Sequence, residues 1–151
     1  MYHKAFKITF VLLLLVFYSC GTNPEPINYG KDQCEYCRMT IMGNKFGAEL
    51  ITNKGKIYKF DAAECMIHFI HQGKVNYSDV DRVLVTDASK PGQFTDAKKA
   101  FYLISEKFPS PMGAGLSAYG SQNDAESFRN NYTGVINRWE GIFERLRPKT
   151  Q

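Results

Sequence analysis

The sequence predicts an α+β fold of two similar small ββαβ-like units with mostly antiparallel sheet. Three observations carry that prediction. Two β-prone runs flank Asn53-Lys54-Gly55, a hairpin pattern with Gly at the turn. An amphipathic helix pattern and a further short strand follow it, and the second half of the chain runs through the same element order. With 151 residues, 44% of them hydrophobic, the chain suffices for one compact body and excludes a multidomain enzyme.

The first element is an address rather than a part of the fold. Residues 1–19 carry Lys4 and Lys7 and then an apolar run from Ile8 to Tyr18, too short for a membrane span of roughly 20 residues, so they read as a signal peptide. The run ends at Ser19-Cys20-Gly21, which resembles a bacterial lipobox and marks Cys20 as the lipidation site. Residues 20–33, with Pro24 and Pro26, read as a lipid-anchored tether, and residues 34–151 as the folded domain. Its two units are expected at about 34–91 and 92–147. Without the signal, 17 basic and 15 acidic residues remain, too even a balance for a nucleic-acid binder.

Lys45 to Phe60 forms the first hairpin. Asp61 then opens a helix with Glu64 three residues on, in the manner of a capping box, and the helix runs to Gly73 with Ala62, Cys65, Met66, Phe69 and Ile70 as its apolar stripe. Arg82 to Thr86 is a short buried strand. In the second unit, Lys99 to Ile104 and Gly115 to Tyr119 are strands around a loop rich in Pro and Gly. A helix from Asn123 or Asp124 stops near Gly134, Val135 to Trp139 is a last strand, and Ile142, Phe143 and Leu146 anchor a terminal turn.

Chemistry concentrates in sulfur. An exported chain lives where disulfides form, so Cys34, Cys37 and Cys65 are expected to be oxidised, metal-bound or buried. The Cys34-x-x-Cys37 spacing suits a redox disulfide, half of a zinc site or a soft-metal clip. Zinc lacks a second ligand pair of matching spacing, and β-prone residues follow Cys37 where a thioredoxin-like site would start a helix. Cys37 and Met39 stand two apart, so on an extended segment they share a face, and thiolate with thioether favours Cu(I). Met112, in the irregular loop Ser110-Pro111-Met112-Gly113-Ala114-Gly115, offers a third sulfur. Met42 falls on the opposite face of a regular strand and reads as packing. Cys65 reads as a buried structural thiol, and His68 and His71 as part of a solvated helix face with Asp61 and Glu64. No nucleophile elbow, phosphate loop or paired acid motif stands out, so the chain reads as a carrier rather than an enzyme.

The segments CEYCRMTIM, YKFDAAECMIHFI, RVLVTD, SPMGAGLSAYG and DAESFRNNYTGVINRW together resemble the NosL family of lipoprotein copper chaperones associated with nitrous oxide reductase. The resemblance spans roughly Cys34 to Trp139. It implies a Cu(I)-binding lipoprotein, anchored in the cell membrane or outer membrane and facing the periplasm, that delivers copper to the maturing reductase. Carried over by position, Cys37 and Met39 match the family's cysteine-x-methionine motif and Met112 the methionine of its PMG loop. Cys34 either joins that site, closes a disulfide with Cys37 that blocks it, or does neither. The rival reading is a thiol-disulfide oxidoreductase using Cys34 and Cys37.

Overall fold

The computed structural model describes residues 23–148. β1 (Ala48–Thr52) and β2 (Ile57–Phe60) form the expected hairpin, with Ala48 opposite Phe60 and Ile51 opposite Ile57. Gly55 takes φ 79° at its turn, a left-handed conformation that costs a residue without Cβ little. β3 (Val80–Thr86) pairs with the other edge of β1, and β4 (Phe94–Asp96) pairs with β3, all antiparallel, in the order β2-β1-β3-β4. β5 (Phe101–Ile104) lies between β6 (Leu116–Tyr119) and β7 (Val135–Asn137), again antiparallel. Each unit therefore runs strand, strand, helix, strand with its first strand in the middle, as the element order implies.

Among the described residues three α-helices cover the sheets: α1 (Ala63–His71), α2 (Gln122–Tyr132) and α3 (Trp139–Arg145). The main core takes Leu50, Phe60, Met66 and Val83 from the first unit and Tyr102, Leu116, Trp139 and Ile142 from the second, so the two units share it. A smaller cluster of Leu103, Tyr119 and Ala125 sits under α2. The units are also sewn together by backbone. Asp87 bridges Ala118 in parallel, the Ala88 N–H donates to the Ala118 carbonyl at 2.8 Å, and the Asp87 carboxylate accepts the Gly120 N–H at 3.1 Å.

Five local expectations are corrected. From Glu25 onward the stretch expected as tether packs on the body: Ile27 is buried in the main core, Tyr29 packs against it, and the Glu25 N–H donates to Glu49 at 3.2 Å. Ile27 and Tyr29 are the apolar anchors that outweigh the prolines before them. β4 falls within the expected second unit but completes the first sheet, because its pairing partner is β3. The expected capping box does not form: the N-cap of α1 is Ala62, with no side-chain cap bond, and Asp61 lies one residue too early. α2 starts at Gln122 instead, because the Ser121 hydroxyl caps the Asp124 N–H at 3.2 Å. The last strand ends at Asn137, and Trp139 opens α3 rather than closing β7.

Candidate metal centre

Residues 28–41 make a small lobe whose tip carries the first two cysteines. Its flanks pair through a Gln33–Thr40 bridge, with the Ile41 N–H donating to the Asp32 carbonyl at 2.9 Å and the Gly30 N–H to the Ile41 carbonyl at 2.8 Å. At the tip the Arg38 N–H donates to the Cys34 carbonyl at 3.0 Å, and the Cys34 N–H to the Met39 carbonyl at 2.9 Å. The chain thus turns tightly over Cys34-Glu35-Tyr36-Cys37, and Arg38 takes φ 64° to close the turn. This overturns the expectation of an extended segment through Cys37 and Met39, since a left-handed residue between them breaks the two-residue alternation. The turn is docked on the body: the Glu35 N–H donates to the Lys59 carbonyl of β2 at 2.9 Å, Tyr36 stacks on His68 with ring centroids 5.6 Å apart, and Gln72 donates to the Tyr36 hydroxyl at 3.1 Å.

Docking brings the turn onto the first turn of α1. There Cys65, expected to be a packing thiol, meets the pair: the sulfurs of Cys34, Cys37 and Cys65 all lie within 4.8 Å of one another. All three are free thiols, with Cys34 and Cys65 fully buried and Cys37 half-buried. The sequence does not reveal that Cys65 joins the pair, because a side chain facing a buried cluster and one facing the core occupy the same helix stripe. The available signal was Cys65 in the first turn of a helix that follows a CxxC segment.

The sulfur electrostatics follow from the donors around them. The Cys65 thiol donates to Cys34, and the backbone N–H groups of Asp61, Cys37 and Tyr36 point at the same sulfur; together they bring the Cys34 thiol down to about 5 despite its burial. That same hydrogen bond, with burial, pushes the Cys65 thiol well above the usual range. Burial raises the Cys37 thiol, against the Met39 N–H that points at it. The shared hydrogen bond thus favours the thiolate at Cys34, while Cys65 and Cys37 are pushed toward their protonated forms.

Met39, Met42 and Met112 stand outside the core, unlike the buried Met66. Met39 is 61% exposed and Met112 38% exposed, whereas Met42, expected to pack, is 71% exposed; it is Ile41 that enters the core. The Met112 loop is pinned to α1, since the Ser110 hydroxyl donates to the Glu64 carboxylate, one residue before Cys65. Gly115 closes that loop at φ 65°, and a Cβ there would sit 2.3 Å from the Ser105 carbonyl oxygen. The expected solvated face of α1 is largely covered. Asp61 and Glu64 are buried, and His71 meets the Phe143 carbonyl of α3 at 2.7 Å. Burial, then the neighbouring His71, lowers the pKa of His68. These polar groups serve as docking contacts between elements. Cys20 and the signal peptide lie outside the described residues.

The chain is 24% identical over 160 residues to the copper-binding lipoprotein NosL of Stutzerimonas stutzeri, covering 95% of this chain and 84% of that one. Its fold resembles the crystal structure of the copper chaperone NosL from Shewanella denitrificans with a TM-score of 0.68 and 23% identity, over 80% of this chain and 95% of that one. The NosL family itself matches residues 27–146, which includes the Ile27 anchor, the cysteine turn, both sheets and α3. By that match, spanning both units, the chain belongs to the NosL family.

Proposed function

We propose that this protein is an envelope Cu(I) carrier, held to a membrane through lipidated Cys20 and facing the periplasm, that delivers copper to maturing nitrous oxide reductase. The observation that carries the reading is the half-buried Cys37 thiol, presented on a tight turn with the exposed Met39 two residues on. Cu(I) favours thiolate and thioether sulfur and is content with two or three donors, so Cys37, Met39 and Met112 suffice and leave room for an incoming ligand. The Met112 loop is fastened at Ser110 beside Cys65, which favours its joining Cys37 while leaving its tip free to detach during transfer. Transfer by stepwise ligand exchange follows, and binding weakens at low pH as protons compete for Cys37. Membership in the NosL family and the copper-binding names of its relatives support copper as the cargo. The reductase as client rests on the family resemblance. Among the described residues no helix is long and apolar enough to cross a membrane. The anchor reading rests on the lipobox-like Ser19-Cys20-Gly21.

The rival redox reading is disfavoured by burial. Cys34, the thiol held as thiolate, is fully enclosed, while the accessible Cys37 is the one pushed toward its protonated form. An attacking thiol needs both exposure and thiolate character.

Titration of the reduced protein with Cu(I) against a competing chelator tests the assignment. Wild type should retain about one equivalent, and Cys37→Ser should lose far more affinity than Cys34→Ser or Cys65→Ser. Equal losses at all three cysteines would sink it. Copper transfer from the loaded protein to copper-free reductase, lost in Cys37→Ser, tests the client, and loss of fatty-acid labelling in Cys20→Ala tests the anchor.

A further inference from the structure

We propose that Cys34, Cys37 and Cys65 form a second, inner, all-thiolate site for a soft metal ion, sharing Cys37 with the outer set of Cys37, Met39 and Met112. The inference rests on the copper reading for the identity of its occupant, which is then Cu(I). Its geometry is independent of that reading.

Metal–sulfur bonds of about 2.3 Å in a trigonal arrangement place sulfurs ~4 Å apart. The three sulfurs already lie within 4.8 Å of one another, so an ion needs only a small contraction, with no change of fold. The donors come from two separate parts of the chain: the turn supplies Cys34 and Cys37, and α1 supplies Cys65. The turn that presents Cys34 and Cys37 is fixed by a set of backbone bonds: the Arg38 N–H donates to the Cys34 carbonyl at 3.0 Å, the Cys34 N–H to the Met39 carbonyl at 2.9 Å, and the Glu35 N–H to the Lys59 carbonyl at 2.9 Å. Cys65 stands in the first turn of α1, where helix N–H groups have no partners within the helix. Buried cysteines that merely fill a core need no such array, and a left-handed Arg38 is a cost that packing alone does not repay. Zinc and calcium fit poorly, since the cluster holds three sulfurs and no histidine or carboxylate among the described residues.

Sharing one sulfur gives the centre a direction. Cys34 and Cys65 are fully buried, and Cys37 is the one of the three open to solvent. Cu(I) held by the inner set is shielded from competing ligands. Exchange of Cys34 and Cys65 for the exposed Met39 and Met112 carries it outward while Cys37 stays bound. The charge on the ion and the electron count do not change, and the two released thiolates take up protons.

The test uses Cd(II) as a thiolate-selective probe and Cu(I) as the cargo, on the reduced protein. Wild type should give the intense thiolate-to-Cd(II) charge-transfer band of three thiolates per ion, and Cys65→Ala should lose about a third of it. Cys34→Ala, at the other buried sulfur, should lose the same share and serves as the second variant should Cys65→Ala unfold. Met39→Leu with Met112→Leu should keep the full Cd(II) band and still hold one equivalent of Cu(I), with Cys65→Ala on that background lowering Cu(I) affinity at least about tenfold. A Cd(II) band indifferent to Cys65 and Cys34, or a double methionine variant that releases all its Cu(I) under conditions where wild type retains it, overturns the inner site. Wild type that gives the three-thiolate Cd(II) band but surrenders all Cu(I) to the chelator upholds the thiolate site and overturns copper carriage, so the two readings fail separately.

Discussion

The Ser110 hydroxyl donates a hydrogen bond to the Glu64 carboxylate, tying the loop between β5 and β6 to the first turn of α1 across 46 residues of chain, and both residues are buried. The second carboxylate oxygen of Glu64 has no partner among the described residues. One hydroxyl therefore carries most of the compensation for a buried acid, and the same bond fixes where the Met112 loop leaves the body. Stability and the position of a proposed copper ligand are linked through it.

Ser110→Ala removes that compensation without adding bulk. Leaving a buried carboxylate unpaired costs about 1–3 kcal/mol, so the melting temperature should fall, and Glu64→Gln on the Ser110→Ala background should recover part of the loss because a neutral amide is cheaper to bury. The freed loop should also release Cu(I) to a chelator faster than wild type. Thermal melts and stopped-flow chelation of the two variants check both parts, and an unchanged melting temperature in Ser110→Ala would contradict the structural role.

Glu49 sets a pH dependence of its own. It is fully buried on β1 with one oxygen accepting the Glu25 N–H, and burial pushes its carboxyl up from 4.5 to about 7. A carboxyl whose folded pKa is raised holds its proton more tightly in the folded state. Its favourable effect is complete below 4.5 and is lost as pH rises through about 7. Glu49→Gln should therefore stabilise the protein by about 1–3 kcal/mol at pH 8 and change little at pH 4. Urea titrations at the two pH values decide it; a gain of equal size at both would rule out ionisation as the cause.

What could be read from the sequence and what could not divides along range. The β1–β2 hairpin, α1 and the recurrent ββαβ order follow from local periods of two and 3.6 residues and from Gly55, so residue order alone announces them. β4 spans only Phe94–Asp96, too short to show a period, and its place is set by its partner β3. In the site, Cys37, Met39 and Met112 were legible as soft donors, and the structure leaves all three at least partly exposed. The meeting of Cys65 with the cysteine pair and the burial of Asp61 and Glu64 are not legible in the sequence, for one reason. The polar-out, apolar-in rule fails on the first turn of α1, where the buried side meets the cysteine turn and the Ser110 loop rather than a plain hydrophobic core.

Gly115 tests how closely the methionine loop must be drawn. At φ 65°, with a prospective Cβ 2.3 Å from the Ser105 carbonyl oxygen, alanine suffers both backbone strain and a clash with immobile backbone. Gly115→Ala should cost about 2 kcal/mol or more and disturb the bond from the Ser105 N–H to the Gly115 carbonyl, now 2.9 Å. Gly113→Ala, also at positive φ but with open space around it, should cost about 1 kcal/mol. Chemical denaturation of the pair separates clash from strain: equal losses would mean that the Ser105 contact gives way.

Arg38 is the position where the cysteine turn is strained. Its φ of 64° belongs to the left-handed region, and its side chain makes an exposed 3.3 Å ion pair with Glu35 that is worth little in water. Arg38→Gly removes the Cβ penalty of about 1–2 kcal/mol and gives back part of it through the greater freedom of an unfolded glycine. The net expectation is a stabilisation of about 0.5–1 kcal/mol in the reduced protein. Arg38→Ile, β-branched at the same φ, should instead destabilise by about 1–2 kcal/mol and misplace Cys37 relative to Cys34 and Cys65. Urea midpoints measure the first effect and the thiolate-to-Cd(II) band the second. If the turn is held for its sulfurs, Arg38→Gly keeps the three-thiolate band while Arg38→Ile weakens it, and the reverse order would show that the left-handed residue does not position the cysteines.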